Sequence, residues 1–533
     1  MYFAILIAYA LLLTDGVPPP QWDLLSRLLS TLHLSAWRGE ATVGFALLQI
    51  PAAALTALWV RRRALRARNG TWEGDVELED RYARGGFVLL CVMTAWSNAS
   101  LLLTGLLPML RREWNLSRYP VVPDTLALLP LFAAAIVAWM ILFPADRAVR
   151  AVAIQYHARD GVAPARPWTA AQFLIYRIRH QILTVAIPMS LIVLVKYFTD
   201  QNRRAIISAT RIVWLPESLV GIGAVGVLLI SPLLLRVLWD TRPLPEGPLR
   251  TQLETLGRRI GLRYRDILVW QSQSLIVNAA VMGLFAPVRY VLFSDGMLQA
   301  LTPRQIEAVF GHEAGHVRRW HLWYFGVFAL LSMLLVGGLL ELLVRYTAMG
   351  QALLQLVALG GMVLVWGMAF GYVSRRFERQ ADLYGTLCLA ADADLPAPAA
   401  GAESPGAAWS HPSWTPPPQA ATPPPTVAAA FVSGARSPLL SGPPGLRSAR
   451  LDGESARVFG QTLIDVAHLN GIPVEARSWR HGSVQSRCEL LARFARHPEA
   501  ILEFERRVEW LKHVMLILTA IGSAIAAWLY WPF

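Results

Sequence analysis

Lysine is nearly missing from this chain of 533 residues. Of 49 basic residues only Lys196 and Lys512 are lysine; the rest are arginine. Cysteine is almost as scarce. Cys91, Cys388 and Cys488 lie far apart, which excludes a disulfide framework and a CxxC metal knuckle. No basic region precedes the apolar stretch Met1–Thr14, so it is a poor cleavable signal peptide and reads as a short span or a half-buried anchor. Charge is thin at 16%, against 55% apolar residues and a mean hydropathy of +0.41. Soluble domains are usually less apolar, and the long apolar runs make this a membrane protein. The net charge of +13 does not point to nucleic acid. The arginines flank the apolar runs, as the positive-inside rule expects, and the Trp-rich aromatic content suits interfacial belts better than base stacking. The expected partner is the lipid bilayer, with no nucleic acid. Scarce Lys beside abundant Ala, Arg and Pro suggests a GC-rich coding sequence and hence a bacterial inner membrane.

Candidate spans lie at 42–60, 86–109, 125–143, 181–198, 217–239, 322–345, 352–374 and 511–531, each near the ~20 residues a helix needs to cross. Arginine-rich loops at 61–68 and 147–179 place those segments in the cytoplasm, and counting onward puts 240–321 and the segment after 374 there too. The expected organisation is N-terminal membrane helices over 1–239 and a site-bearing unit over 240–390. A Pro/Ala-rich disordered insert follows at 391–450, then the C-terminal part of that unit at 451–505 and a last membrane helix at 506–533. Within 240–321, Leu249–Arg259 reads as an amphipathic helix, and Asp266–Val269, Ser274–Val277 and Val288–Phe293 as short strands. Thr302-Pro303 opens a further helix with Gln305 completing a capping box. Helices are also expected over 455–469 and Ser483–Arg496. The glycines at 221, 223 and 226 sit in an apolar run and read as helix packing, not a nucleotide loop.

The helix opened by Thr302 carries His312-Glu313-Ala314-Gly315-His316. Histidines four apart share a helix face and can bind one metal. Imidazole suits Zn²⁺, which in catalytic sites keeps three protein ligands and a water of pKa near 7. Glu313 stands where it can take that water's proton. Roughly one such chain in a hundred would carry HExxH by chance. A third ligand is available in Phe377-Glu378-Arg379-Gln380-Ala381-Asp382, which closes the 352–374 span on the same side. Glu378 is the best candidate, and Asp382, one turn on, can fix the tautomer of a ligand histidine. Alone, this run would read as an ordinary juxtamembrane Arg/Glu stretch. His321 falls off the metal face and reads as structural. His157, His180, His468 and His497 have no partner at metal spacing.

The stretch from Val277-Asn278-Ala279 through Tyr290–Phe293 and Leu301-Thr302 to His316 resembles the integral-membrane gluzincins that include CAAX prenyl proteases and bacterial HtpX proteases. Glu378–Asp382 is similar to the family's ExxxD motif, in its CAAX-protease version. Ser478-Trp479-Arg480-His481-Gly482-Ser483 with Ser486-Arg487 is similar to its late His-Pro…Glu-Arg segment, but here Gly follows His481 and Ser precedes Arg487. The resemblance implies a mainly α, polytopic membrane protein with a cytoplasm-facing zincin-like unit and a small β-sheet. It implies His312, His316 and Glu378 as zinc ligands, Glu313 as general base and Asp382 behind the ligands. It also implies that the strand at Asn278-Ala279 pairs with the substrate backbone. His481 or Arg487 either donates to the oxyanion or is, respectively, a surface histidine and an arginine paired elsewhere. The implied activity is zinc-dependent hydrolysis of peptide bonds in membrane-associated proteins or peptides, by quality-control or CAAX-type cleavage. The competing reading is a catalytically silent membrane scaffold or regulator.

Overall fold

The computed structural model describes residues 24–69, 71–159, 168–272, 276–347, 349, 351–393, 451–470 and 472–530. Met1–Thr14 and residues 394–450 of the expected insert lie outside the described residues. The chain divides into two units, residues 1–155 with 166–240, and residues 241–533 with 156–165.

Among the described residues six helices are long and apolar enough to cross a membrane: Ser35–Leu65, Val122–Val152, Ala170–Gln201, Leu215–Leu238, His321–Tyr346 and Glu499–Trp528. Glu77–Leu101 with Leu106–Glu113, bent by 54°, adds a seventh if taken as one span. Seven of the expected segments coincide with these. The eighth, 352–374, is helical but is not among the six. Its helix runs through a π turn at Val365–Phe370 into the polar stretch beyond.

The principal helices of the first unit are α1 (Gln49–Leu65), α2 (Trp72–Leu103), α3 (Val122–Arg159), α4 (Thr184–Gln201) and α5 (Leu215–Leu238). On α5, a Cβ at Gly223 would come within 2.5 Å of Val195 on α4, so this glycine lets two membrane helices close up; Gly221 and Gly226 face open space. Asp146, buried in α3, accepts from Tyr82 Oη at 3.0 Å, Arg150 Nε at 2.5 Å and Arg177 Nη2 at 3.2 Å. A carboxylate within a membrane span is tolerated only with partners of this kind.

The second unit is built on a mixed sheet of β1 (Thr241–Pro243), β2 (Asp266–Trp270), β3 (Ala279–Met282) and β4 (Tyr290–Ser294), in the order β1-β2-β4-β3. β2 and β4 are parallel; the outer strands pair antiparallel. Every residue of β4 is buried, which is why the strand reads as an unbroken apolar run. The strand expected at Ser274–Val277 starts instead at Ala279. Ile276 N–H is taken by Ser272 Oγ, and the Val277 backbone by the Asn470 side chain, which leaves the residues before Ala279 in a loop despite their β-branched side chains. Residues 273–275 lie outside the described residues.

Around the sheet pack α6 (Pro248–Arg259), α7 (Pro303–Arg318) and α10 (Gly371–Ala393). Leu253 and Leu256 of α6 meet Ile306, Phe310 and Ala314 of α7 and Tyr384 and Cys388 of α10 in one core with Ile267, Val291 and Phe293. The candidate span α8 (His321–Tyr346) and the helix α9 (Gln351–Leu364) lead from α7 to α10, and α11 (Gly453–Leu469), α12 (Val484–Arg496) and α13 (Glu499–Tyr530) follow. β3 is an edge strand lying beside α7.

The β3–β4 turn depends on Gly283. Its φ is +98°, and a Cβ there would lie 2.3 Å from the Val288 carbonyl oxygen. Gly283→Ala is therefore expected to cost about 1–3 kcal/mol, read as a lower midpoint of thermal unfolding in detergent. An unchanged midpoint would contradict this account of the turn.

Candidate metal centre

α7 begins where the capping chemistry requires. Thr302 Oγ1 accepts from Gln305 N–H, Gln305 Oε1 accepts from Thr302 N–H, and Pro303 fills the first helical position. One face of α7 carries Ile306, Phe310 and Ala314 into the core; the next carries His312 and His316, one turn apart. Against that face runs α10, and the contact is made by residues with little or no side chain. A Cβ at Gly315 would lie 3.0 Å from Ala381 Cα, and one at Gly385 would lie 2.8 Å from the His312 backbone nitrogen. This approach brings Glu378 and Asp382 onto the histidine pair.

The ligating atoms of His312, His316 and Glu378 all lie within 4.8 Å of one another, close enough to hold a metal ion. The two Nε2 atoms are 3.3 Å apart. Glu378 straddles them, Oε2 at 3.7 Å from His312 Nε2 and Oε1 at 3.7 Å from His316 Nε2. Each histidine turns its other nitrogen to the protein. His312 Nδ1 lies 3.0 Å from Asp382 Oδ1, short in distance but off-axis for a hydrogen bond. His316 Nδ1 lies 3.0 Å from His321 Nδ1. Glu313 points the other way, to the sheet, and its Oε2 accepts from Val281 N–H on β3 at 2.9 Å.

Burial and charge set the protonation of this cluster. Burial pulls the His312 imidazole down, but Asp382 and Glu378 outweigh it and its pKa stands above the ordinary value. Burial lowers His316 to about 4. Burial also raises Glu313, with Glu378 adding to the rise and His312 opposing it. For Glu378 burial works upward, yet the hydrogen bond from His481 and the charges of His316, His312 and Arg487 hold it well below the usual carboxylate range. Asp382 is likewise held down, against burial, by Arg487.

His481, nearly half exposed, comes to Glu378 from the loop before α12, its Nδ1 2.9 Å from Oε2. Arg487 on α12 is buried and commits its fork to Asp382, Nε to Oδ2 at 2.7 Å and Nη2 to Oδ1 at 2.5 Å; Nη2 also lies 3.9 Å from Glu378. Asn278 immediately precedes β3, with its backbone tied to Ser294 and its Oδ1 accepting from Ala279 N–H at 3.0 Å. The structure thus gathers His312, Glu313, His316, Glu378, Asp382, His481 and Arg487 about one point, with Ala279 on the edge strand beside Glu313.

A second layer lies behind the cluster: His321, which the sequence reads as structural, and Gln380 and Glu505, to which it assigns no role. His321, fully buried and stacked on Phe377 at 4.3 Å, contacts His316 through Nδ1 and Gln380 Oε1 through Nε2 at 2.9 Å. Gln380 Nε2 donates to Glu505 Oε2 at 2.5 Å, and Arg319 Nη2 donates to Glu505 Oε1 at 2.9 Å. His321 carried a signal in its nearness to His316, and Gln380 in its place between Glu378 and Asp382. Glu505, on the last helix, carried none.

Fold and site together define a multi-pass membrane protein in which two facing helices bring together a His-His-Glu cluster. Residues 243–416 match the model of Peptidase family M48, so the chain carries an M48 peptidase domain. The chain is similar to a protease HtpX homolog of Aeropyrum pernix, 29% identical over 167 residues, which cover 29% of this chain and 51% of that protein. It is also similar to the CAAX prenyl protease 1 homologs of Arabidopsis thaliana and of Oryza sativa subsp. japonica, 32% identical over 113 residues, 20% of this chain and 27% of each of them. The chain therefore spans about half the length of the first and about a quarter of the other two. A solved structure, that of S. mikatae Ste24p, aligns with a TM-score of 0.40 and 16% identity over 64% of this chain and 87% of that one.

The Arg487–Asp382 pair yields a test. Removing one partner of a buried ion pair strands the other charge and costs about 3–5 kcal/mol. Asp382 has its pKa depressed in the fold, so the pair's contribution is present above the ordinary carboxylate value and lost as pH falls through the folded value. In chelator-treated protein, Arg487→Ala is thus expected to lower thermal stability most at neutral pH, with the deficit shrinking on acidification. A deficit independent of pH would contradict the pairing.

Proposed function

We propose that this protein is a zinc metalloendopeptidase embedded in a bacterial inner membrane, hydrolysing peptide bonds of membrane-associated proteins or peptides from a cleft on the cytoplasmic side. The observation that carries the reading is the convergence of His312, His316 and Glu378 on one point, with Glu313 turned from it toward an open strand edge. Orientation follows from the arginine-rich segments 61–68 and 147–179 under the positive-inside rule.

The donor set fits zinc. Two imidazoles and one carboxylate are the usual three protein ligands of a catalytic zinc. With both imidazoles in their Nδ1–H tautomers, the two Nε2 lone pairs, 3.3 Å apart, are presented together to a cation. Both Nδ1 atoms face protein partners, as histidines oriented for a metal require. A zinc ion held there supplies Lewis acidity, polarising a carbonyl and making water a competent nucleophile near neutral pH.

The chain's own groups do the rest. Glu313 takes the proton from the attacking water and returns it to the leaving nitrogen; its raised pKa suits a group that must do both. Its carboxylate rests on Val281 N–H, which aims it along β3. The outer edge of β3 at Ala279, whose N–H is held by Asn278 Oδ1 until a substrate backbone replaces it, lays the substrate extended past Glu313. His481 holds Glu378 through Nδ1, and as an imidazolium it would also donate from Nε2 to the developing oxyanion. Arg487, committed to Asp382, holds the carboxylate behind His312. With His316 donating from Nδ1, His321 accepts and passes a donor on to Gln380, which in turn donates to Glu505. That direction of donors fixes His316 as the tautomer that ligates through Nε2.

Glu313→Gln is expected to keep zinc and lose hydrolysis, and Glu378→Ala to lose most of the zinc. Metal analysis of purified protein with peptide-cleavage assays checks both, and undiminished cleavage by Glu313→Gln would sink the mechanism. Gln380→Leu is expected to weaken zinc binding by roughly 10–100-fold, measured by competition with a chelating dye; affinity equal to that of the parent protein would remove the His321 relay from the account.

A further inference from the structure

Two short projections flank the cluster, one apolar and one carrying a tryptophan between arginines, and neither belongs to a membrane span. One is the β3–β4 turn, Leu284-Phe285-Ala286-Pro287-Val288, uncharged throughout, with Phe285 53% exposed. It stands against the start of α8: Gly283, Leu284, Arg289, His316, Trp320, Leu322 and Trp323 line one small cleft. Trp320 and Trp323, both half exposed or more, sit at the mouth of the span that begins at His321. The other is the loop carrying His481. Its Trp479 packs on Phe370 at 5.6 Å and donates from Nε1 to Gly367 O at 2.5 Å. Phe370 in turn packs on Phe325 at 5.2 Å and Phe328 at 5.5 Å.

These contacts fix a depth. At ~1.5 Å per residue, Phe325 and Phe328 lie about 6 and 10 Å along α8 from His321. Trp479 therefore reaches the level of the first two turns of a span, and the β3–β4 turn reaches its first residues. Arg477 and Arg480, both exposed, flank Trp479. Trp beside Arg is the composition of a bilayer's headgroup boundary, where indole and guanidinium each find a polar and an apolar side. An exposed uncharged turn in water would be a liability; continuous with the lipid-facing surface of α8 it is an anchor. His316 adjoins the first projection and His481 the second, so the cluster lies between them.

We propose that residues 284–288 and the 477–481 loop are immersed in the headgroup and acyl boundary of the bilayer. The cleft then opens onto the membrane surface, and the chain it takes is a stretch of polypeptide just leaving the bilayer. The partner of this surface is the lipid itself. The substrate clause rests on the peptidase reading above; the immersion does not.

The full chain in phosphatidylcholine–phosphatidylglycerol vesicles tests both. Cys91 is the exposed cysteine and the other two are buried, so a Cys91→Ser background allows single fluorescent labels at Phe285→Cys, Arg480→Cys and, as control, Arg457→Cys. Arg457 pairs with Glu454, which feels Arg304 at the N-terminal end of α7. That end is about 24 Å along α7 from the end that leads into the span α8. Nitroxide lipids labelled high on the acyl chain are expected to quench labels at 285 and 480 strongly and at 457 weakly. Equal quenching at all three sites overturns the proposal. The readout needs no turnover, so it stands or falls separately from peptidase activity. In active protein, Phe285→Asp is expected to lower cleavage of an acyl-tethered peptide severalfold relative to the same peptide free in solution; an unchanged ratio overturns the substrate clause.

Discussion

Five polar residues of the cluster sit on two helices that meet through almost no side chain: His312, Glu313 and His316 on α7, Glu378 and Asp382 on α10. Where the helices touch, the residues are Gly311, Gly315, Ala381 and Gly385. A methyl group added at Gly385 would lie 2.8 Å from the His312 nitrogen and 3.0 Å from the Ala308 oxygen. Neither is the movable end of a side chain, so the helices would have to part. Parting them separates the carboxylates from the imidazoles, because each donor is short and rooted on a rigid helix. Gly315, inside the HExxH sequence, acts in the same way: a Cβ there would lie 3.0 Å from Ala381 Cα.

That closeness gathers charge in a buried place. Glu313, Glu378 and Asp382 stand against one guanidinium, Arg487, which is spent on Asp382. Like charges so near one another in a medium of low dielectric are tolerated only with compensation. Part of it comes from His312, whose pKa is raised after burial is overcome by Asp382, and part from Val281 N–H and His481. The remaining excess of negative charge, at a point faced by two Nε2 atoms, is a place suited to a divalent cation.

Much of this was legible in the residues. The capping box at Thr302, the one-turn spacing of His312 and His316, and the helix leading to Glu378 each rest on helical periodicity, which is local; that helix, expected as a span, is not among the six. The sheet was less so. Ile276-Val277 carry β-branched side chains, but Ser272 and Asn470 take their backbone groups, and the strand starts at Ala279. A hydrogen bond from 193 residues away overrides a local propensity. The role of Arg487 was open for the same reason: nothing in Ser486-Arg487 tells whether its fork meets an oxyanion or a carboxylate. The contact of Glu505 with Gln380 bridges 125 positions and has no periodic signature at all.

The chain from His316 through His321 and Gln380 ends on α13, and Arg319 closes it from the α7–α8 junction. His321 opens one membrane span, and Glu505 lies at the start of another, Glu499–Trp528. Lys512 on that last helix donates to the Arg319 carbonyl at 3.1 Å and holds the same junction. The orientation of a histidine in the cluster is therefore set by two helices whose apolar lengths demand a bilayer. Extracting them would leave His316 Nδ1 and the Gln380 amide as buried polar groups without these partners, at a cost of about 1–3 kcal/mol each. A soluble fragment trimmed to the sheet, α7 and α10 would keep the HExxH sequence but lose what orients it. The cluster is a property of the membrane-embedded fold rather than of a domain that happens to be tethered to one.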